Sequence, residues 1–352
     1  MIHRFPVAIL AATGSVGQRF VQLLHDHPWF EIAYLTASDR SAGKTYREAC
    51  RWILPQPMPE TIADMPIWDT RDQRVRAPLV FSALPANAAQ EIEPLFARAG
   101  AVVCSNASAY RTDAYVPILL PEVNPDHTAI LDSQRSQYAW PGAIVTNPNC
   151  TSTGLTVVLK SLQDAFGLKR VLAVSLQAVS GAGYPGVASL DILDNVIPYI
   201  AGEEEKIEWE PRKMLGRFEN ASITLANFSL SAHANRVAVS DGHLVCASVE
   251  FETPAQAAEA EHVLAAYQAP VVSRALPSAP QPVISLLSDP DRPQPRLDRL
   301  TGNGMTTVVG RVRQDSLFHV KMVISSHNTI RGAAGGSIYN AELLYKQGYL
   351  KE

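Results

Sequence analysis

Pro6-Val7-Ala8-Ile9-Leu10-Ala11-Ala12-Thr13-Gly14-Ser15-Val16-Gly17-Gln18-Arg19-Phe20-Val21-Gln22-Leu23-Leu24, near the start of the sequence, decides the fold class. Its first five residues form a short apolar run, which reads as a strand buried on both faces. From Val16 to His25, Phe20, Leu23 and Leu24 recur at helical spacing, with Gly14 and Ser15 at the entry. Between strand and helix lies Ala11-x-x-Gly14-x-x-Gly17, a relative of the glycine-rich turns that bring phosphate to the N–H groups of a helix N-terminus. Ala11 stands where such turns usually carry their first glycine. A tight strand-to-helix turn is the plain alternative, but the position inside a βαβ pattern favours nucleotide binding.

The pattern repeats outward from this stretch. Ile32–Thr36, Leu79–Ala83 and Ala101–Ser105 read as further strands, and Ala88–Ala99 as a helix. Strands alternating with helices imply a parallel, doubly wound sheet. After Cys150 the pattern changes. A helix over Thr151–Phe166 precedes longer strand-like runs at Arg170–Val179, Leu225–Ser231, His243–Phe251, Met305–Arg313 and Phe318–Ser325. Few helices separate the later runs, so the second sheet is expected to be mostly antiparallel. Ser273–Pro295 is proline-rich and reads as an extended loop or linker. A last periodic segment, Gly332–Tyr349, reads as a helix.

At 352 residues the chain suggests two domains. Apolar residues make up 47%, which excludes a disordered chain, and 30 basic against 34 acidic side chains leave a net charge of −4. That balance gives no electrostatic reason to expect nucleic acid or an anionic membrane as partner. There is no long apolar span, and the run Val7–Ala12 is too short for a signal-peptide core. Four cysteines, at 50, 104, 150 and 246, form no CxxC pair, which argues against a zinc site or disulfide scaffold and for a reduced, cytoplasmic protein without metal.

One cysteine differs from the rest. Cys150, in Asn147-Pro148-Asn149-Cys150-Thr151-Ser152-Thr153-Gly154, stands at a helix start, where macrodipole and N–H groups favour a thiolate. Those N–H groups and the Asn149 amide are candidates to stabilise an oxyanion on a carbonyl attacked by the sulfur. Cys50, Cys104 and Cys246 fit the usual fate of cysteine, burial in the core. Nine histidines compete as acid/base partner. His25 and His27, flanking the end of the first helix, read as surface residues. His243 follows Asp241-Gly242 at a strand start, and pattern alone does not single it out. Arg236 is a candidate for a bidentate carboxylate contact. After the second strand, Ser38, Arg40 and Ser41 are suited to hold a phosphate, which favours NADP over NAD provided Asp39 points away. Glu203 and Lys206, three residues apart, share a helical face within an acidic run of the kind that usually faces water.

With these residues in view, the chain resembles the aspartate-β-semialdehyde dehydrogenase family, in the branch typical of archaea and fungi. The resemblance rests on Ala12–Leu24, SDRSAGK at 38–44, FSALP at 81–85, SNASAYR at 105–111, NPNCTSTG at 147–154, QAVSGAGYPG at 177–186, NRVAVSDGH at 235–243, DRPQPRLDR at 291–299 and HNTIRGAAGGS at 327–337. It implies Cys150 as nucleophile, His243 as acid/base and Gln177 as the group orienting the reacting carbonyl. It implies Arg236 on the substrate carboxylate, Glu203 on its amino group, and Lys206 and Arg111 on inorganic phosphate. NADP contacts map to Thr13, Gly14, Ser15, Val16, Gly17, Gln18, Ser38, Arg40, Ser41, Ser82, Gly181 and Asn328. The expected architecture is a Rossmann-type domain over 1–149, completed by a helix over 332–352, and a catalytic and dimerisation domain over 150–331. The expected activity is NADP-dependent reduction of L-aspartyl-4-phosphate to the semialdehyde on the route to lysine, threonine and methionine, by a homodimer or homotetramer. Malonyl-CoA reductase of the same fold and a non-catalytic nucleotide-binding paralogue are the competing expectations.

Overall fold

A computed structural model describes residues 4–350. They divide into two compact units: one runs up to Leu119 and includes Asp126–Asn147 and the chain from Ala334 onward; the other comprises Leu120–Pro125 and Pro148–Ala333.

The first unit is built on six parallel strands, β1 (Phe5–Leu10), β2 (Phe30–Ala37), β3 (Ile67–Asp69), β4 (Leu79–Ser82), β5 (Val102–Ser105) and β6 (Ala143–Thr146), in the order β3-β2-β1-β4-β5-β6. Strand order reverses between β1 and β4, the place where open α/β sheets receive ligands at their carboxyl ends. The apolar run is continuous because both faces of the sheet are covered. Val7 and Ile9 join one core with Phe20, Leu24, Phe30 and Phe81, and Ala8 and Leu10 join another with Val80, Phe96 and Val103. The helix Ser15–Leu24 lies so close to β1 that a Cβ on Gly17 would stand 2.2 Å from the Ala11 carbonyl oxygen. Ala11 does take the left-handed conformation that suits glycine (φ 56°), at a cost of about 1–2 kcal/mol. In the helix Ala86–Arg98, Pro94 cannot donate to the Gln90 carbonyl, and the Tyr110 hydroxyl donates to it instead, at 2.7 Å.

The C-terminal helix, Gly335–Lys346, belongs to this unit. Tyr345 packs against Phe5, Trp29 and Phe30, and the buried Glu342 carboxylate meets His27 Nε2 at 2.9 Å. His27 is therefore a core residue and not the surface residue its position suggested, because the partner that buries it lies over three hundred residues away.

The second unit holds β7 (Leu168–Gln177), a small hairpin of β8 (Arg217–Glu219) and β9 (Ser222–Thr224), then β10 (Ser229–Arg236), β11 (His243–Phe251), β12 (Ile284–Leu287), β13 (Thr307–Gln314) and β14 (Val320–Ser326). Its main sheet has the order β10-β7-β11-β14-β13-β12. The three central pairings are antiparallel and the two outer ones parallel. The helix Cys150–Phe166 packs on β11 and β14, and the helix Glu203–Met214 packs on it and on β10.

The structure departs from the sequence reading elsewhere as well. Ser273–Pro295 is not a bare loop but contains β12, paired in register with β13. The strand expected at Leu225–Ser231 runs from Ser229 to Arg236, which puts Arg236 on a strand end. Leu120–Pro125 belongs to the second unit, where Ser273 Oγ donates to the Pro121 carbonyl at 2.5 Å, Tyr267 Oη donates to that of Glu122 at 2.6 Å, and Arg331 pairs with the buried Glu122 carboxylate.

Candidate active site

The site grows from the N-terminus of the helix Cys150–Phe166, of which Cys150 is the first residue. Asn149 is the N-cap. Its Oδ1 accepts from the N–H groups of Thr151 (2.9 Å) and Ser152 (3.2 Å), and its carbonyl accepts from Thr153 N (2.9 Å). Its Nδ2 donates to Glu203 Oε2 at 2.8 Å. Two of the helix N–H groups are thus engaged by the Asn149 Oδ1, and one Asn149 amide proton by Glu203. Gly332 passes so close that a Cβ there would stand 2.8 Å from that of Cys150, so only glycine lets this segment lie against Cys150.

His243, the first residue of β11, sets Nε2 3.1 Å from Cys150 Sγ. Its Nδ1 accepts from the N–H of Ala178 at 3.1 Å. A ring nitrogen that accepts carries no proton, so the neutral imidazole holds its proton on Nε2, facing the sulfur. Burial, with the Arg236 guanidinium beside it, pushes His243 down to about 3. Geometry and electrostatics agree on a neutral imidazole that donates to Cys150. Ala178 serves a second side chain: its carbonyl accepts from Arg236 Nη1 at 2.7 Å. Burial draws Arg236 below its ordinary value, and the charges at Cys150 and Glu203 offset part of that.

Gln177 ends β7 and lies in register with Arg236. Its Nε2 donates to Glu203 Oε2 at 3.2 Å and to Ser175 Oγ at 3.3 Å. Glu203 Oε1 accepts from Lys206 Nζ at 2.9 Å. Burial alone would raise the Glu203 carboxyl, but the Lys206 ammonium and the donors of Asn149 and Gln177 outweigh it and hold the group below the usual range. Glu203 and Lys206, expected as separate grips, thus form one ion pair. Cys150, His243, Gln177, Arg236, Glu203, Lys206 and Asn149 all lie in the second unit.

Gly181 also belongs here, with a Cβ position 2.8 Å from Arg236 Nη1. Asn328 ties two turns, donating to Ser180 Oγ (2.8 Å) and accepting from Gly242 N (2.8 Å), so its carboxamide already has partners at both ends. Arg111 lies in the first unit, donating to the carbonyls of Asn147 and Asn106, each at 2.9 Å.

The expected cofactor residues of the first unit gather at the carboxyl ends of β1, β2 and β4. The helix Ser15–Leu24 has Gly14 at its N-cap and receives no side-chain cap, in contrast to the helix Cys150–Phe166, which Asn149 caps. Its first N–H groups are suited to an anion. Thr13 and Val16 are partly buried beside it. Ser38 and Arg40 are exposed in the turn after β2, where Asp39 Oδ1 is engaged by the Arg40 N–H at 2.9 Å. Ser41 N closes that turn on Ser38 O at 2.9 Å. Ser82 is buried at the end of β4. Gln18 is the exception. Its Nε2 donates to Thr13 O and Arg51 O, each at 2.9 Å, and its Oε1 accepts from Ile53 N at 2.8 Å, so it braces the turn from below.

Of the other cysteines, Cys50 and Cys104 are buried but Cys246 is exposed, because its position in β11 faces away from the covering helices. Among the described residues no cluster of three or more His, Cys, Asp or Glu is placed to hold a metal ion, and no helix is long and apolar enough to cross a membrane. Sequence reasoning missed Ala178, Gly332 and the buried Glu210, whose Oε2 accepts from Asn149 N at 2.6 Å. Ala178 acts through its main chain, which no residue type reveals.

A parallel dinucleotide-type sheet and a cysteine–histidine pair on a mixed-sheet unit define the class of a two-domain dehydrogenase. Residues 6–131 match the family model "Semialdehyde dehydrogenase, NAD binding domain" and residues 159–331 match "Semialdehyde dehydrogenase, dimerisation domain". The chain is 49% identical to the aspartate-semialdehyde dehydrogenase of Archaeoglobus fulgidus (98% of this chain, 99% of the relative) and 49% identical to that of Schizosaccharomyces pombe (98% and 99%). A crystal structure of the Candida albicans aspartate-semialdehyde dehydrogenase with NADP superimposes with a TM-score of 0.90 at 41% identity, covering 99% of this chain and 100% of that one. The chain belongs to the aspartate-semialdehyde dehydrogenase family.

Proposed function

We propose that this protein catalyses the NADP-dependent reductive dephosphorylation of L-aspartyl-4-phosphate to L-aspartate-4-semialdehyde through a thioester on Cys150. The observation that carries the reading is Cys150 Sγ at 3.1 Å from His243 Nε2, with Arg236, Gln177 and Glu203 bonded into the same network. The thiolate of Cys150 attacks the acyl carbon, the carbon–oxygen bond to phosphate breaks, and inorganic phosphate leaves. NADPH, when bound, supplies the hydride that reduces the thioester carbonyl. The carbon–sulfur bond then breaks, which releases the aldehyde and restores the thiolate. The neutral His243 keeps its Nε2 proton and donates a hydrogen bond first to the thiolate sulfur and then to the oxygen on which charge develops, while the departing phosphate takes its proton from solvent. Arg236 pairs with the substrate α-carboxylate. The α-ammonium takes the place of Lys206 at Glu203, and the released Lys206 is left for phosphate.

NADP fits the uncapped helix at Gly14 and the Ser38–Ser41 turn, where Asp39 is already turned to the main chain. Leu190, Leu193, Val196 and Tyr199 expose apolar surface within the stretch that matches the dimerisation-domain model, which supports a homodimer or a larger homo-oligomer. Four free cysteines fit a reducing, cytoplasmic compartment. The discriminating experiment offers one preparation aspartate semialdehyde with phosphate and NADP⁺, and malonyl-CoA with NADPH. The expected result is turnover of the first alone. Efficient reduction of malonyl-CoA with no use of aspartate semialdehyde would overturn the substrate assignment.

A further inference from the structure

The buried carboxylate of Glu210 has no place in the chemistry above, yet it touches the residue next to the nucleophile. Glu210 lies two turns after Glu203 on the helix Glu203–Met214, so both side chains project from one face. Glu203 takes the side-chain Nδ2 of Asn149 at 2.8 Å and Glu210 takes its main-chain N–H at 2.6 Å. With Oδ1 on Thr151 and Ser152 and the carbonyl on Thr153 N and Oγ1, the N-cap is held by four contacts to its own helix and two to carboxylates of the neighbouring one. A carboxylate 1% exposed must be met by strong donors, and the short contact to Asn149 N is of the charge-assisted kind. The helix N-terminus that carries Cys150 therefore cannot shift without breaking that contact.

We infer that Glu210 is a positioning residue for Cys150: it fixes the main chain at Asn149, and so holds the sulfur at hydrogen-bond distance from His243, while its negative charge opposes ionisation of the thiol. Two carboxylates and a thiolate then share one helix N-terminus, and the macrodipole is what makes this tolerable. The inference rests on the reading of Cys150 as nucleophile.

The test compares Glu210→Gln and Glu210→Ala by steady-state kinetics and by the pH dependence of Cys150 alkylation with iodoacetamide, followed by peptide mass mapping. Glutamine keeps an oxygen for the Asn149 N–H but removes the charge, so the alkylation midpoint moves down by about half to one pH unit. Alanine removes both, and kcat falls by about 10–100-fold while KM for aspartate semialdehyde and for phosphate stays within about threefold, because the loss is one of nucleophile geometry. Glutamine restores most of that kcat. An unmoved midpoint in Glu210→Gln, or a Glu210→Ala variant that loses only KM or nothing, overturns the inference; should alanine prevent folding, the glutamine variant decides alone. If alkylating Cys150 in the unaltered protein leaves turnover intact, it is the nucleophile reading that fails, whatever Glu210 does.

Discussion

At the scale of single residues, much of the site's chemistry is carried by atoms that are already occupied. Asn149 looked free to stabilise an oxyanion and Gln18 to touch the cofactor, yet both carboxamides are engaged by neighbours that sequence spacing does not reveal. Cys150 was legible because a cysteine among polar residues at a helix start is unusual. His243 was not singled out by pattern: what distinguishes it is the Ala178 N–H at Nδ1, a main-chain contact. Arg40 is the opposite case, an exposed cation with its acidic neighbour turned aside. Arg40→Ala is expected to weaken NADP binding at least about tenfold while sparing NAD, since a charged hydrogen bond contributes about 1.5–3 kcal/mol. Isothermal titration with both cofactors checks it, and equal losses for the two would refute the assignment.

At the scale of elements, the first strand, turn and helix were read correctly because their signals are local: a double-faced apolar run, a glycine turn and a 3.6-residue period. β3, only three residues long, was missed, and so was β6. β12 was hidden by the prolines around it, and β10 was displaced because its buried apolar positions are the small residues Ala232 and Ala234. The helix Glu203–Met214 turned out to be the element that organises the site, and its sequence Glu203-Glu204-Glu205-Lys206 looks like an ordinary solvated face. In it Glu203 is bonded to Lys206, Asn149 and Gln177 at once. If the substrate ammonium displaces Lys206, Lys206→Ala raises the KM for phosphate about tenfold or more and leaves that for aspartate semialdehyde within about threefold, as loss of one charged contact implies. Glu203→Ala raises the KM for aspartate semialdehyde instead. Initial-rate kinetics with each substrate varied in turn separates the two patterns, and a Lys206 variant with unaltered phosphate dependence would contradict the exchange.

At the scale of the whole chain, two buried groups set opposite limits on stability against pH. Glu93, within the helix Ala86–Arg98, is buried with one oxygen bonded to Ser105 Oγ at 2.6 Å and the other, Oε2, without a hydrogen-bond partner. Burial pushes its carboxyl up to about 7 from 4.5, so it folds as the neutral acid. Its stabilisation is complete below pH 4.5 and is lost as pH rises through 7, because the unfolded chain releases the proton first. His243 acts the other way: its value is depressed, so stability is lost as pH falls below 6.5, where the unfolded imidazole takes a proton that the folded one refuses. Glu93→Gln is therefore expected to gain about 3 kcal/mol over the unaltered protein between pH 4.5 and pH 8, read from urea unfolding at each pH. A constant difference across that range would show that Glu93 is ionised in the fold. None of this was visible in sequence, where Glu93 is one acid in a helical pattern; its burial follows from the sheet beneath it.

The thioester on Cys150 is the claim on which the rest depends. Incubating the protein with aspartate semialdehyde and NADP⁺ without phosphate, quenching in acid and mapping peptides by mass should place an aspartyl group on the peptide containing Cys150, and adding phosphate before the quench should discharge it. An acyl group on Cys50, Cys104 or Cys246, or steady turnover by a Cys150→Ser variant in the same assay, would contradict the account.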